Sequence, residues 1–584
     1  MVPGATGFSN SCFAFWYIWL PPAPTQEQRQ PVWEKYLLIC AIKALHFFST
    51  MIIGTVILLL LFRTTHSSTP APTTVITLAN NSTLQGGTNT HALFFLNIPY
   101  VNPPTGKDRW QPPSYPATPW SGVRQATERG NTCMGPKVLN KKTASTGHED
   151  CLTLNIYAPL ETPDAPVPVV VFIPGGGYMA GNAWEDGVYN CSALAETTGM
   201  IYVVLQYRLG AFGFLAAPQI NPDTKDADSI SYLGIQDQQA ALQWVQDNIH
   251  VFQGDKSQVT LWGQSAGGGS VLLHLAMESS WNLFHRCVVE SPYLRPIGNA
   301  STNMERWQKA LVQGKTLIST VGCGNSNNTV SVGECMRGTS AETINDALKV
   351  DQGMLFDTSN NWYPVFPNLT SSPDSSHSIL RPNTSVLIGN NMNESNMLDM
   401  VEHVRLLFPI STEELEKLVV ELWGEDKASV ILQHYNHTID GTNGKAFFAM
   451  VSDAAINCPI RTVAQRLCHS GSQVYQYVFD AAVLPEVGVA HASELPFVFD
   501  RDYMLPTKSL IELSKQMVGL WEHFEKTGNP NGGGLVPWKW PNAMGGAGSS
   551  KVVVFRTNNQ SAVTLDPFNR CFVWSNDSDG EPST

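Results

Sequence analysis

A chain of 584 residues that is 43% hydrophobic and only 15% charged has the material for a large buried core, which excludes an intrinsically disordered protein. Its 49 acidic residues outnumber 36 basic ones, and the net charge of -13 argues against a nucleic-acid partner because nothing basic is concentrated enough to neutralise phosphates.

The N-terminus bears on location. Residues 44–62, ALHFFSTMIIGTVILLLLF, carry no charged side chain across 19 positions and lie between Lys43 and Arg63. As a helix such a run spans a hydrocarbon core of about 30 Å, and it is too long and too far from Met1 for a signal peptide. Arg29, Lys35 and Lys43 on one side against Arg63 on the other orient residues 1–43 toward the cytoplasm. The expectation is a single-pass type II signal anchor with the body in the secretory lumen or outside the cell. Sequons recurring from Asn80 to Asn576 agree with that compartment, with Asn393 expected to be buried and bare. Residues 63–90, rich in Thr, Ser, Pro and Asn, read as a flexible stalk, which leaves 91–575 as the folded body and 576–584 as a disordered tail.

Within the body, β-branched apolar runs at 167–173 and 201–206 read as buried strands. A helix follows over 236–249, then a strand through 258–262, and later strands at 386–388 and 474–479. Buried strands separated by helices imply an α/β fold with a large, mostly parallel sheet covered on both faces. The stretch 303–401 has weaker periodicity and is expected to hold helices and loops over the site. At the end of the first run, Pro174-Gly175-Gly176-Gly177-Tyr178 supplies consecutive glycines whose bare backbone can approach a substrate oxygen. After the 258–262 strand, Gly263-Gln264-Ser265-Ala266-Gly267 fits a nucleophile elbow, a strand-to-helix turn that lifts a serine oxygen clear of the sheet. Five residues alone are equally a glycine-rich turn; the surroundings decide.

The runs 233–238, 241–249 and Gly254-Asp255 that lead into this elbow resemble the type-B carboxylesterase and lipase family, to which the cholinesterases belong. So do the opening Phe94-Phe95-Leu96-Asn97-Ile98-Pro99 with Arg109-Trp110-Gln111-Pro112-Pro113, and Glu149-Asp150-Cys151-Leu152-Thr153-Leu154. The resemblance runs from about Phe95 to Trp574 and implies an α/β-hydrolase that cleaves carboxylic esters with no metal or organic cofactor. It implies a triad of Ser265, of Glu394 in Gly389-Asn390-Asn391-Met392-Asn393-Glu394, and of His491 in Gly488-Val489-Ala490-His491, chosen among fourteen histidines. It also implies an oxyanion hole made by the main-chain N–H groups of Gly176, Gly177 and Ala266. Glu494, three residues after the histidine, is expected to frame the loop. Glu149 and Asp150 are expected to link loops and sheet.

Of eleven cysteines, Cys133 with Cys151, Cys323 with Cys335 and Cys458 with Cys571 sit where this family has disulfides. Cys191, Cys287 and Cys468 are expected as buried small hydrophobes. Three departures from the family pattern stand out. Asn97 replaces a glycine, so asparagine is expected to carry a positive-φ turn. Pro174 replaces a histidine or aromatic residue. Gln264 replaces the glutamate of cholinesterases, which removes a negative charge near a quaternary ammonium site and disfavours choline esters. The rival readings are a lipase acting on acylglycerols and a membrane-tethered, non-catalytic adhesion protein of the neuroligin type, and the presence of all three triad residues favours an enzyme.

Overall fold

The computed structural model describes residues 74–574 apart from 137–146, 162, 222–228, 294–302, 325–329, 349–379, 397–409, 484–487, 544–550 and 559. The expected membrane span at 44–62 and both tails lie outside the described residues; no helix among those described is long and apolar enough to cross a membrane.

The apolar runs form strands wherever they were expected. In chain order the strands are β1 Val75–Thr77, β2 Thr83–Gln85, β3 Gly87–Thr88, β4 Ala92–Pro99, β5 Val123–Gln125, β6 Thr153–Pro159 and β7 Val167–Ile173. They continue with β8 Ile201–Leu205, β9 Gly254–Gln264, β10 Arg286–Glu290, β11 Ser385–Asn391, β12 Gln473–Phe479, β13 Lys551–Phe555 and β14 Ala562–Leu565. Eleven of them make one sheet in the order β14-β13-β12-β11-β10-β9-β7-β8-β6-β4-β3. From β8 to β13 all pairings are parallel, and antiparallel strands close both flanks. β1, β2 and β5 form a separate three-stranded sheet.

Because side chains alternate across a strand, each central strand feeds two cores. Val169, Val171 and Ile173 of β7, Val259 and Leu261 of β9 and Cys287 and Val289 of β10 enter one. Their neighbours Val170, Phe172, Trp262 and Val288 enter the other. The first core is roofed by helices α1 Leu233–Asn248, α2 Ala266–Ala276 and α3 Cys458–His469, through residues such as Leu242, Leu272 and Val463. The second is closed by α4 Lys508–Thr527, through Leu513, Met517, Trp521 and Phe524. Each such side chain, fully buried, contributes roughly 1.5–3 kcal/mol.

Several expectations are corrected. Residues 75–88, read as part of a flexible stalk, form β1, β2 and β3, with Leu84 wholly buried, so the folded body begins before residue 91. Their Thr and Ser content masked the apolar positions Ile76, Leu78 and Leu84. Cys191 and Cys287 are buried, but Cys468 is only partly so. Asn393, expected to be buried, is half-buried; its Oδ1 accepts from the Val489 N–H at 3.4 Å. Asn97 has φ of 59°, as expected of a residue standing in for glycine, and sits where the β4–β6 register shifts between Phe95 and Ile98.

All three disulfides form as paired above. The third joins the first residue of α3 to a turn 113 residues further on. Closing so long a loop removes much entropy from the unfolded chain, so Cys571→Ser is expected to lower stability by about 2–5 kcal/mol. Urea unfolding compared with the parent protein measures this.

Candidate active site

The parallel centre of the sheet sends the C-terminal ends of β7, β9, β11 and β12 toward one edge, and the loops after them meet there. Ser265 joins β9 to α2 with φ of 58° and ψ of -124°, a conformation that side chains other than glycine rarely adopt. Three backbone hydrogen bonds hold it: its N–H donates to Glu290 O at 2.9 Å, and its carbonyl accepts from Gly269 at 2.9 Å and Tyr293 at 3.0 Å. The flanking glycines are required by contact. A Cβ on Gly263 would lie 2.4 Å from the Gly267 carbonyl, and one on Gly267 only 1.9 Å from Ile173 O. The turn therefore works only where backbone meets backbone.

Gly176 and Gly177, with φ of 117° and 63°, make a tight turn in which the Gly176 carbonyl accepts from Met179 and Ala180. This loop abuts the elbow, since a Cβ on Gly175 would lie 2.9 Å from the Ser265 Cβ. Ala266 opens α2, where the first N–H groups of a helix have no intrahelical acceptor.

Glu394 follows β11 and is 2% exposed. Its Oε2 lies 2.6 Å from His491 Nδ1, and its Oε1 accepts from Ser291 Oγ and the Asn391 N–H, each at 2.6 Å. The loop after β12 is tied in as well, because the His491 N–H donates to the Glu394 carbonyl at 3.1 Å. Burial works against a charge on His491, but the touching Glu394 carboxylate more than offsets it and Glu494 adds to the effect. The imidazole pKa is raised above its ordinary 6.5. His491 Nε2 lies 3.4 Å from the side-chain amide of Gln264, the residue before Ser265. Ser265 Oγ itself makes no hydrogen bond among the described residues.

The residues singled out in the sequence thus gather at one edge: the glycine loop against Ser265, Glu394 against His491, and His491 against the elbow through Gln264. Glu149 ion-pairs with Arg109 at 2.5 and 2.8 Å, which fits its structural reading. Ser291, Asn391 and Glu290 were missed. Glu290 and Ser291 follow Cys287-Val288-Val289 directly, and two polar residues ending an apolar strand are the signal that marks them.

A parallel sheet that delivers a serine elbow, then an acid, then a histidine to one edge defines an α/β-hydrolase. Residues 73–569 match the Carboxylesterase family. Similar proteins include carboxylesterase 3 of Pongo abelii, 32% identical over 77% of this chain and 82% of its own length, and acetylcholinesterase of Bungarus fasciatus, 31% identical over 77% of each. Carboxylesterase 3 of Homo sapiens is 31% identical over 77% of this chain and 82% of its own. The chain belongs to the carboxylesterase family and is a carboxylic-ester hydrolase.

Proposed function

We propose that the protein opens carboxylic esters through an acyl-enzyme on Ser265. His491 takes the hydroxyl proton as Ser265 Oγ attacks the ester carbonyl; Glu394 fixes the imidazole tautomer and stabilises the imidazolium. The N–H groups of Gly176, Gly177 and Ala266 take the developing oxyanion. His491 returns its proton to the departing alcohol, and water repeats the sequence on the acyl-enzyme. The observation that carries this reading is the 2.6 Å contact between His491 Nδ1 and a buried Glu394, beside a strained serine turn. Labelling of the purified protein with a fluorophosphonate, followed by peptide mapping, tests it: the adduct is expected on Ser265, and an unlabelled protein overturns the reading.

The raised pKa of His491 has a kinetic consequence. The base must be neutral to accept the proton, so kcat/KM falls as the pH drops through the folded-state pKa. The acid limb of the profile is expected to have its midpoint above 6.5, checked with p-nitrophenyl esters across the pH range. A midpoint below 6.5 would show that burial outweighs Glu394.

Carboxylic esters are the substrate class of this reading, with acylglycerols as the alternative. A chain-length series of acyl esters, soluble and emulsified, separates them. The proposal also places the body on the lumenal or outer side of a membrane, held by residues 44–62 as a type II anchor. Three disulfides support an oxidising compartment. Digestion of the body by protease added outside sealed microsomes would refute that placement.

A further inference from the structure

The turn that carries Glu394 is held by a helix with an irregular step. Residues Asn443–Ser452 form a helix that continues through a π turn, Asp453–Asn457, into α3, with Ser452, Asp453, Asn457 and Cys458 all in right-handed helical conformation. The Cys458 N–H reaches back five residues to the Asp453 carbonyl instead of the usual four. Such turns are rare and gather at functional sites. All five residues of this one are buried.

The side chains at the two ends of the step, Ser452 and Asn457, dock on either side of Glu394. Asn457 Oδ1 accepts from Nδ2 of Asn390, four residues before the acid, at 2.9 Å. Asn457 is itself aimed by Asp453, whose Oδ1 accepts from Asn457 Nδ2 at 2.9 Å while its Oδ2 accepts from the Tyr435 hydroxyl at 2.8 Å. Ser452 meets Ser395, the residue after the acid. The Ser395 N–H donates to Ser452 Oγ at 3.0 Å, Ser395 Oγ donates to the Phe448 carbonyl at 2.7 Å, and the two hydroxyl oxygens lie 2.8 Å apart. With the Ser395 proton committed to Phe448, Ser452 donates the bond between the hydroxyls, so each donor of the clasp finds one acceptor. Both serines are buried. The step explains how one helix reaches both places. In a regular α-helix residues five apart lie about 140° apart around the axis. A turn whose bonds span five residues stacks them on one face.

We propose that Ser452 and Asn457 are positioning residues, presented together by the π turn, which grip residues 390–395 and so fix the Glu394 carboxylate against His491. The grip acts from the helix, whereas Ser291 and the Asn391 N–H hold the carboxylate itself.

The inference rests on the Ser265–Glu394–His491 reading, and fluorophosphonate mapping of the parent protein tells the two apart: an adduct on Ser265 retains that reading whatever the variants do, and an unlabelled parent overturns both. The experiment measures kcat, KM and the pH profile of kcat/KM with p-nitrophenyl butyrate for Ser452→Ala, Ser395→Ala and Asn457→Ala. The charged groups acting on His491 are Glu394, which follows β11, and Glu494 of its own loop; Gln264 at the end of β9 is a neutral neighbour. Neither serine variant changes a charge, so a moved pH profile reports a changed distance between Glu394 and His491.

Ser452→Ala leaves the buried Ser395 N–H without its acceptor and is expected to lower kcat by about tenfold with KM little changed. Its acid limb is expected at lower pH than the parent's, because burial of His491 then outweighs a more distant Glu394. Ser395→Ala keeps the backbone bond to Ser452 and is expected to stay within about threefold of the parent. Parent-like kcat in Ser452→Ala, a slowed Ser452→Ala whose acid limb has not moved, or Ser395→Ala as slow as Ser452→Ala overturns the proposal. Should Ser452→Ala fail to fold by circular dichroism, Asn457→Ala decides on the same two readouts: slower turnover with the limb at lower pH supports the grip, and a parent-like profile overturns it.

Discussion

Ser265→Ala is expected to cut kcat/KM for p-nitrophenyl esters by on the order of 10⁴-fold or more, with the fold intact. Alanine keeps the Cβ and tolerates φ of 58° no worse than serine, so the three backbone hydrogen bonds of the elbow survive. What disappears is the oxygen that forms the acyl bond. Substrate still reaches the glycine loop and the start of α2, and such donors alone retain about 10³–10⁴-fold catalysis over water in related chemistry, which sets the floor of residual activity. Turnover, labelling and circular dichroism on the same preparation check this. Activity within tenfold of the parent would reject Ser265 as nucleophile.

Gly267→Ala is the second large effect, and it arises from space. The added methyl would lie 1.9 Å from Ile173 O and 3.1 Å from Pro174 O, both backbone atoms at the end of a central strand. No side chain can swing aside. Either α2 lifts off β7 or the 174–177 loop shifts, and both disturb the proposed oxyanion donors. A loss of about 3 kcal/mol or more in stability is expected together with loss of turnover. Gly338→Ala is the matched control: nothing lies within 4 Å of its Cβ position, so its effect is expected to stay within about 0.5 kcal/mol. Thermal and urea unfolding of the two variants make the comparison.

The sheet was legible because its central strands are β-branched on both faces, and a continuous apolar run such as 167–173 has few other uses in a chain rich in turns. Ends were less legible. β9 starts at Gly254, four residues before the expected 258, because Asp255, Lys256 and Ser257 look like loop and lie where the β7–β9 register shifts, between the Gly254 and Val259 pairs. The misread 75–88 segment shows the cost of weighing composition above alternation. At the site, the local pattern raises Ser265 only as one reading of a glycine-rich turn, and family resemblance is needed for it as for Glu394 and His491, which gain a physical basis from their contact. Ser291 and Glu494 reach their partners across 103 residues of sequence, a distance at which single-chain periodicity says nothing.

The alternation of β9 between two cores bears on how the protein can vary. Leu261 belongs to one side and Trp262 to the other, and the elbow begins at the next residue, Gly263. Losing or gaining a single residue in this strand would swap every later side chain to the opposite face and rotate Ser265 away from Glu290 and the glycine loop. The strand can therefore change its letters far more freely than its count, and evolution toward new substrates is channelled into the loops that follow the strands.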